Sequence, residues 1–267
     1  MKKYMFMAVA GMLALSSCSN DDSDLTEQNA PRQMTFTAGY GDGAQTRATL
    51  DGDTKKVSFD AGDAISILSA KNTNKEFTTT AGGATASFTG TATDDATYYA
   101  VYPYNSSYEL DGTTIKNVEI PFNQSGAASN GWHKTAPIAY ATTTGSSLTF
   151  NNACALLKIN NNSGSATIVI ECSSGTLSGI FNLDTSTGTL TLTAQEEDGE
   201  STMVSAEYVP DKTIYLAIAP GEVEDFAASW VGVGDNNGAG QKIKEGSFTF
   251  EAGKIYDLGK TSDWPEL

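Results

Sequence analysis

Catalysis needs groups that attack, exchange protons or bind metals, and this chain places few of them in a usable pattern. Its single histidine, His133, follows Trp132 in a Gly-rich stretch. No Gly-x-Ser-x-Gly elbow offers it a serine to activate, so a Ser-His-Asp triad has no visible frame. Neither His-Glu-x-x-His nor Cys-x-x-Cys spacing presents ligands to a transition metal. Asp51-Gly52-Asp53 and Asp235-Asn236-Asn237-Gly238 cluster oxygens of the kind Ca²⁺ takes. Neither continues to an EF-hand glutamate, and turn formation accounts for both. Carboxylates number 32. A hydrolytic carboxylate pair is compatible with that composition, but nothing in the spacing selects one. The reading is of a chain with no catalytic residues, no metal and no cofactor.

The nucleophiles that remain are three cysteines, Cys18, Cys154 and Cys172. Cys18 closes a leader in which Lys2 and Lys3 precede an apolar run, Tyr4 to Leu15, shorter than the ~20 residues of a membrane-spanning helix. Leu15-Ser16-Ser17-Cys18 resembles the lipobox of bacterial lipoproteins. That resemblance implies a signal peptide over residues 1–18, with diacylglycerol carried on the Cys18 sulfur. Ser19-Asn20-Asp21-Asp22-Ser23-Asp24 resembles the export signal that takes lipoproteins of the Bacteroidales to the outside of the outer membrane. Residues 19–32 read as a flexible acidic tether. An oxidising compartment permits a disulfide between the other two thiols. A hairpin centred on Asn160–Ser165 would set Cys154 opposite Cys172. Because register is unknown and directly paired strands strain the bond, both a disulfide and two unlinked buried thiols stay open.

The elements that would carry any site are strands. Gly (26 residues), Thr and Ser are abundant, charged residues are 18% and hydrophobic residues 39%, and beyond the leader no helical periodicity is sustained. Met34–Ala38 alternates large and polar, as a half-buried strand does. Ala64–Ser69, Lys75–Thr80, Ala84–Gly90, Thr97–Pro103, Ile115–Ile120 and Pro137–Thr142 continue the series. A second series runs through Leu148–Ile159, Ala166–Cys172, Thr176–Leu183, Thr189–Thr193, Thr213–Ala219, Phe226–Val233, Ser247–Phe250 and Ile255–Leu258. Each half suits a β-sandwich, 33–147 and 148–267, with the boundary between Thr143 and Leu148. Tyr98, Tyr99, Tyr102, Tyr104 and Tyr108 could stack on a sugar, but strand alternation assigns one tyrosine face to the core. The net charge of −16 repels phosphate backbones, so nucleic acid is not expected as a partner.

Several strings, in order along nearly the whole chain, resemble the fimbrillin family, the type V pilin-like surface lipoproteins of the Bacteroidales. They are Thr46-Arg47-Ala48-Thr49, Val57–Ile67, Tyr98–Tyr104, Ala155–Ile159, Ile214–Pro220 and Phe250–Leu258. The resemblance implies an all-β fold of two tandem transthyretin-like β-sandwiches behind the signal peptide. It also implies a fimbrial subunit at the outer membrane surface whose partners are other fimbrial subunits, with adhesion to a host or bacterial surface ligand as the output. In type V pilins an arginine-specific cut removes the leader, the lipid and the first strand, and a neighbour's strand fills the gap. Here the chain holds just two arginines, Arg32 and Arg47. Arg47 lies in a small, polar stretch read as an exposed loop, so cleavage between Arg47 and Ala48 would release the strand carrying Met34 and Phe36. The tail after Leu258 is short and contains Pro265, a poor donor strand, which points to a tip or accessory position. The alternative is a monomeric surface lipoprotein that binds glycan or host protein.

Overall fold

The computed structural model describes residues 30–41, 49–50, 57–125, 133, 135–194, 200–235 and 237–267. Cys18, Arg47, Ala48, Asp51–Asp53 and Asn236 lie outside the described residues. The strands of the first half are β1 (Arg32–Tyr40), β2 (Thr49–Leu50), β3 (Val57–Ser58), β4 (Ala64–Ser69), β5 (Asn72–Thr78) and β6 (Thr85–Ala92). They continue as β7 (Tyr98–Tyr102), β8 (Glu109–Asp111), β9 (Thr114–Ile120), β10 (Ala139–Thr143) and β11 (Ser147–Asn152). The second half holds β12 (Ala155–Asn161), β13 (Ala166–Glu171), β14 (Gly179–Asp184), β15 (Thr189–Ala194) and β16 (Met203–Val209). It ends with β17 (Lys212–Ile218), β18 (Gly221–Gly232), β19 (Ala239–Phe250) and β20 (Ile255–Lys260).

Alternation builds the first unit. In β1, Phe36 and Ala38 are wholly buried while Thr35 and Thr37 face solvent. Phe59, Phe77, Phe88 and Phe150 converge with Phe36 on one aromatic interior. The strands around it close into a barrel in the order β1-β11-β10-β7-β4-β5-β6. The sandwich expected over 33–147 is therefore a barrel, because β1 pairs on both of its edges and leaves no open side.

The Thr-Gly-Ser-Ser stretch expected to separate two domains is instead the turn of the β10–β11 hairpin, where Ala139 pairs with Asn152 and Tyr140 with Asn151. Gly and Ser mark tight turns as readily as linkers. All of β11 belongs to the barrel, so the expected break at 147/148 falls inside its first two residues. A four-stranded sheet, β15-β14-β9-β8, also joins strands from both halves. A shared core of Leu68, Val101, Ile115, Ile138, Leu156, Phe181 and their neighbours runs between the units.

The second unit has two facing sheets, β17-β12-β20 and β16-β13-β18-β19, over a core that joins aliphatic residues such as Leu157, Ile168, Ile170 and Ile218 to Phe226, Trp230, Phe250 and Trp264. Its pairing repeats that of the barrel. The first strand of each unit runs parallel to the last, β1 with β11 and β12 with β20. Each first strand is also antiparallel to a second partner, β6 or β17. The series β10-β7-β4-β5 is matched by β19-β18-β13-β16, antiparallel throughout. What the second unit lacks are the two joints corresponding to β11–β10 and β5–β6. It is the barrel's pairing scheme with two seams left open.

Candidate assembly site

The strand expected to be removable, Met34–Ala38, is the centre of β1. Its whole length pairs antiparallel with β6, from Arg32 opposite Ala92 to Gly39 opposite Thr85. Only its second half also pairs with β11, from Thr37 opposite Ser147 to Tyr40 opposite Phe150. Phe36 packs edge-on against Phe77 and Tyr98, with ring centroids 5.4 and 5.1 Å away. Tyr40 lies 5.2 Å from the Phe59 ring. Met34 is half-buried, its sulfur 4.0 Å from the Tyr98 hydroxyl. Opposite Met34 stands Gly90, where a side chain would meet the Phe77 ring and the Glu76 carbonyl at 2.7 Å. The close approach of β6 to β5 requires glycine there.

The outer end of β1 carries charge. The Arg32 guanidinium donates from Nε and Nη2 to the two Asp94 oxygens at 2.7 and 2.8 Å. That fork holds the Asp94 carboxyl below the usual carboxylate range. Both groups are solvent-exposed, so the pair sets geometry more than stability. From Gly41 the chain leads into residues 42–48, where Arg47 and Ala48 lie outside the described residues.

The two downstream cysteines are free. The Asn160–Ser165 turn does reverse the chain, but it leads from one sheet to another: β12 pairs with β17 and β20, β13 with β16 and β18. Cys154 therefore sits in the core shared by the units and Cys172 in that of the second unit, and no hairpin sets them opposite each other. Burial pushes the Cys154 thiol up to about 12 and the Cys172 thiol up to about 11, so neither is a poised nucleophile.

Tyr98 and Tyr102 point into the barrel, Tyr98 accepting from the Asp95 N–H at 2.7 Å and Tyr102 donating to Asp63 at 3.2 Å. Tyr99 packs on the shared core and Tyr108 is buried in it, so no row of tyrosines forms an open platform. His133 has its Nδ1 3.2 Å from the Thr135 hydroxyl, and desolvation lowers its pKa. Among the described residues no group of three His, Cys, Asp or Glu is placed to hold a metal ion.

The tail is fastened. Thr261 is fully buried, and its hydroxyl lies 3.1 Å from Asn161 Oδ1 and 2.8 Å from the Ser163 hydroxyl. The Trp264 indole donates to the Leu258 carbonyl at 3.1 Å, and Trp230 donates to the Thr261 carbonyl at 3.2 Å. Beyond them the tail bridges to β19, with Glu266 opposite Gly240 and the Gln241 N–H donating to the Pro265 carbonyl at 2.8 Å. Sequence reasoning missed this contact. Its only local signal was a tryptophan within a short polar tail.

No family model and no curated protein sequence matches the chain. Its fold is similar to that of a proposed cell adhesion protein from Bacteroides uniformis ATCC 8492, with TM-score 0.56 and 16% identity over 88% of this chain and 96% of that one. A proposed cell adhesion protein from Bacteroides ovatus ATCC 8483 gives TM-score 0.49 and 11% identity, covering 86% of this chain and 92% of that one. A fimbrial protein from the same strain gives TM-score 0.45 and 13% identity, covering 84% of this chain and 48% of that protein. At such identities the likeness is one of fold.

Proposed function

We propose that the chain is a structural, non-catalytic subunit of a fimbria at the bacterial cell surface, serving adhesion and assembling by exchange of β1. The observation that carries this reading is the placement of β1. It is an N-terminal strand with two wholly buried side chains, Phe36 and Ala38, set between β6 and β11. Removing such a strand leaves two unpaired edges flanking an apolar slot, which a strand from another subunit satisfies. The fold shared with a proposed cell adhesion protein of Bacteroides uniformis supports the same direction. In this reading the lipid on Cys18 holds the subunit at the outer membrane until cleavage after Arg47 frees it. The tail from Thr261 to Glu266 is fastened to the second unit, so in this reading it is not the segment that is donated, which favours a tip or accessory position over the stalk.

An arginine-specific protease tests the reading, because its two targets have opposite consequences. A cut at Arg32 removes the tether and leaves β1 in place. A cut at Arg47 detaches the chain that carries β1. The expected product begins at Ala48, melts at a lower temperature, and is restored by a peptide spanning residues 32–40. Burial of Phe36 alone accounts for roughly 1.5–3 kcal/mol of the loss. Arg47→Ala should leave only the product beginning at Gln33, with unchanged melting. A product beginning at Ala48 that keeps its full stability and ignores the peptide would overturn strand exchange.

A further inference from the structure

The open seam between β19 and β20 is the place where the second unit departs most from the barrel. The two strands leave a tight turn at 251–254 and diverge into different sheets, each an edge. Between them lies an apolar cavity of about 260 Å³. It is lined by Phe226, Phe248, Phe250, Tyr256 and Leu258, with Lys242, Ile243 and Lys244 along one lip and, on the β20 side, Asp257, whose carboxylate is engaged by Lys158 at 2.8 Å. The aromatic rings pack edge-on, Phe248 to Phe250 at 4.8 Å and Phe250 to Tyr256 at 5.0 Å. From Lys242 to Ser247 six consecutive residues of β19 are exposed, Ile243 at 59%.

The backbone of that lip already accepts a strand. The Gln241 N–H points off the sheet edge to the tail carbonyl of Pro265. Ladder alternation turns the Ile243 N–H, two residues on, to the same side. The tail does not cover it: the bridge of Glu266 to Gly240 is antiparallel, so the tail crosses the β19 edge at Gly240 and Gln241 and runs on away from Ile243. The segment that occupies the first part of this edge, Asp263-Trp264-Pro265-Glu266-Leu267, interleaves acidic and apolar residues. Beyond it the edge carries two cations. Lys242 and Lys244 stand opposite Ala228 and Phe226, core-facing positions of β18, so both project towards the seam. The Lys242 ammonium donates to the Leu258 carbonyl at 3.0 Å, and that of Lys244 lies 3.6 Å from the centre of the Phe248 ring. Inward lysines on an edge strand discourage neutral strands from adding. In a chain of net charge −16, they also make this lip a local attractor for carboxylates.

We propose that the β19–β20 seam is a second acceptor site, taking an extended segment of a partner protein in which apolar residues alternate with acidic ones. Its backbone pairs with β19 from Ile243 onward, its apolar side chains enter the aromatic cavity, and its carboxylates meet Lys242 and Lys244. The proposal rests on the assembly reading only for the source of the segment. Its test uses the Arg47→Ala chain, so that failure of β1 exchange leaves it standing and its own failure leaves β1 exchange untouched.

The probe is a blocked seven-residue peptide alternating phenylalanine with aspartate, titrated by fluorescence anisotropy with amide shifts recorded in parallel. It should bind one-to-one, perturb β19 and β20 rather than β1, and bind about tenfold or more tighter than the same peptide with lysine for aspartate. Lys242→Glu with Lys244→Glu should reverse that preference. Ile243→Pro removes one outward N–H from an edge strand that tolerates it, and should weaken both peptides while leaving the amide spectrum folded. Equal binding of the two peptides, or indifference to Ile243→Pro, would reduce the seam to a simple apolar pocket and overturn the proposal. Self-association without peptide that Ile243→Pro abolishes would make a second copy the occupant, and would overturn it equally.

Discussion

The two units share one pairing scheme and end differently. In the barrel, the last strand β11 is held by β1 on one side and β10 on the other; in the second unit, β20 is held by β12 alone. The cause is local. The β10–β11 turn keeps its two strands in register, whereas the 251–254 turn, with Gly253 at φ 74°, feeds β19 and β20 into different sheets. Side chains follow the backbone. The closed unit fills its interior with Phe36, Phe59, Phe77, Phe88 and Phe150. The open one gathers Phe226, Phe248, Phe250 and Tyr256 at the unclosed joint. Both clusters pack a core, but in the open unit only Phe226 and Phe250 are buried, and Phe248 and Tyr256 are left partly exposed at the unclosed joint.

The widest separation between the units should come from one side chain in each. Phe36 is wholly buried among aromatic neighbours, so Phe36→Ala should cost about 3–5 kcal/mol in urea denaturation. Ile243→Ala, at a side chain 59% exposed, should stay within about 0.5 kcal/mol. Similar losses at the two positions would mean that the β19 edge is covered in solution, and the contrast between closed and open units would fall.

Much of the barrel was legible because residue types alternate along its strands, half-buried in β1 and β6 and buried on both faces in β4. Alternation located β1, β4 and β6 within a few residues, and it assigned one tyrosine face to the core, which the fold identifies as that of Tyr98 and Tyr102. The Leu148–Ile159 segment read as one run because β11 and β12 are separated only by Ala153 and Cys154, both fully buried. Most of β19 escaped notice for the opposite reason. Lys242 to Ser247 expose both faces, so no apolar period marks a strand, and only Ser247–Phe250 showed one. Barrel closure was equally hidden, since it depends on the parallel pairing of β1 with β11, more than 100 residues apart. Local pattern does not specify partners at that separation. The candidate site was legible as a strand with Phe36 buried, but Met34, expected beside it, is only half-buried and Ala38 is the second wholly buried side chain; the partners of the strand were not legible.

A middle-sized effect concerns how firmly the tail closes one end of the open seam. A side chain at Gly240 would run into the Trp230 indole and come within 3.2 Å of the Pro265 carbonyl. Gly240→Ala should therefore destabilise by about 1–3 kcal/mol, as overpacking does. Indole emission from Trp230 and Trp264 should shift to the red as the tail loosens. Unchanged emission with full stability would show that the tail bridge is incidental, and the open seam would then extend the full length of β19.

The smallest effect tests the single-sided hold on β20 directly. Lys158 on β12 donates to Asp257 on β20 at 2.8 Å, with side-chain exposures of 36% and 55%. Burial pushes the Asp257 carboxyl up, but the Lys158 ammonium and the Gly259 N–H together outweigh it, so its pKa lies below the usual value. A carboxyl depressed in the folded state adds stability above its unfolded pKa of about 4 and loses it as pH falls through the folded value. Lys158 is shifted upward by the Asp257 hydrogen bond, so its contribution persists below its unfolded pKa and fades as pH rises through the folded one. Solvent screening limits the pair to about 0.2–1 kcal/mol. Lys158→Met should therefore cost a small, constant amount between about pH 6 and 8, and progressively less as the pH falls far enough to protonate the depressed Asp257 carboxyl. Because β20 has no second neighbouring strand, the same substitution should speed amide exchange in β20 and leave β11 unchanged. A stability difference that does not shrink as the solution is acidified, or exchange that quickens equally in both strands, would show that this ion pair is not what fastens β20 to β12.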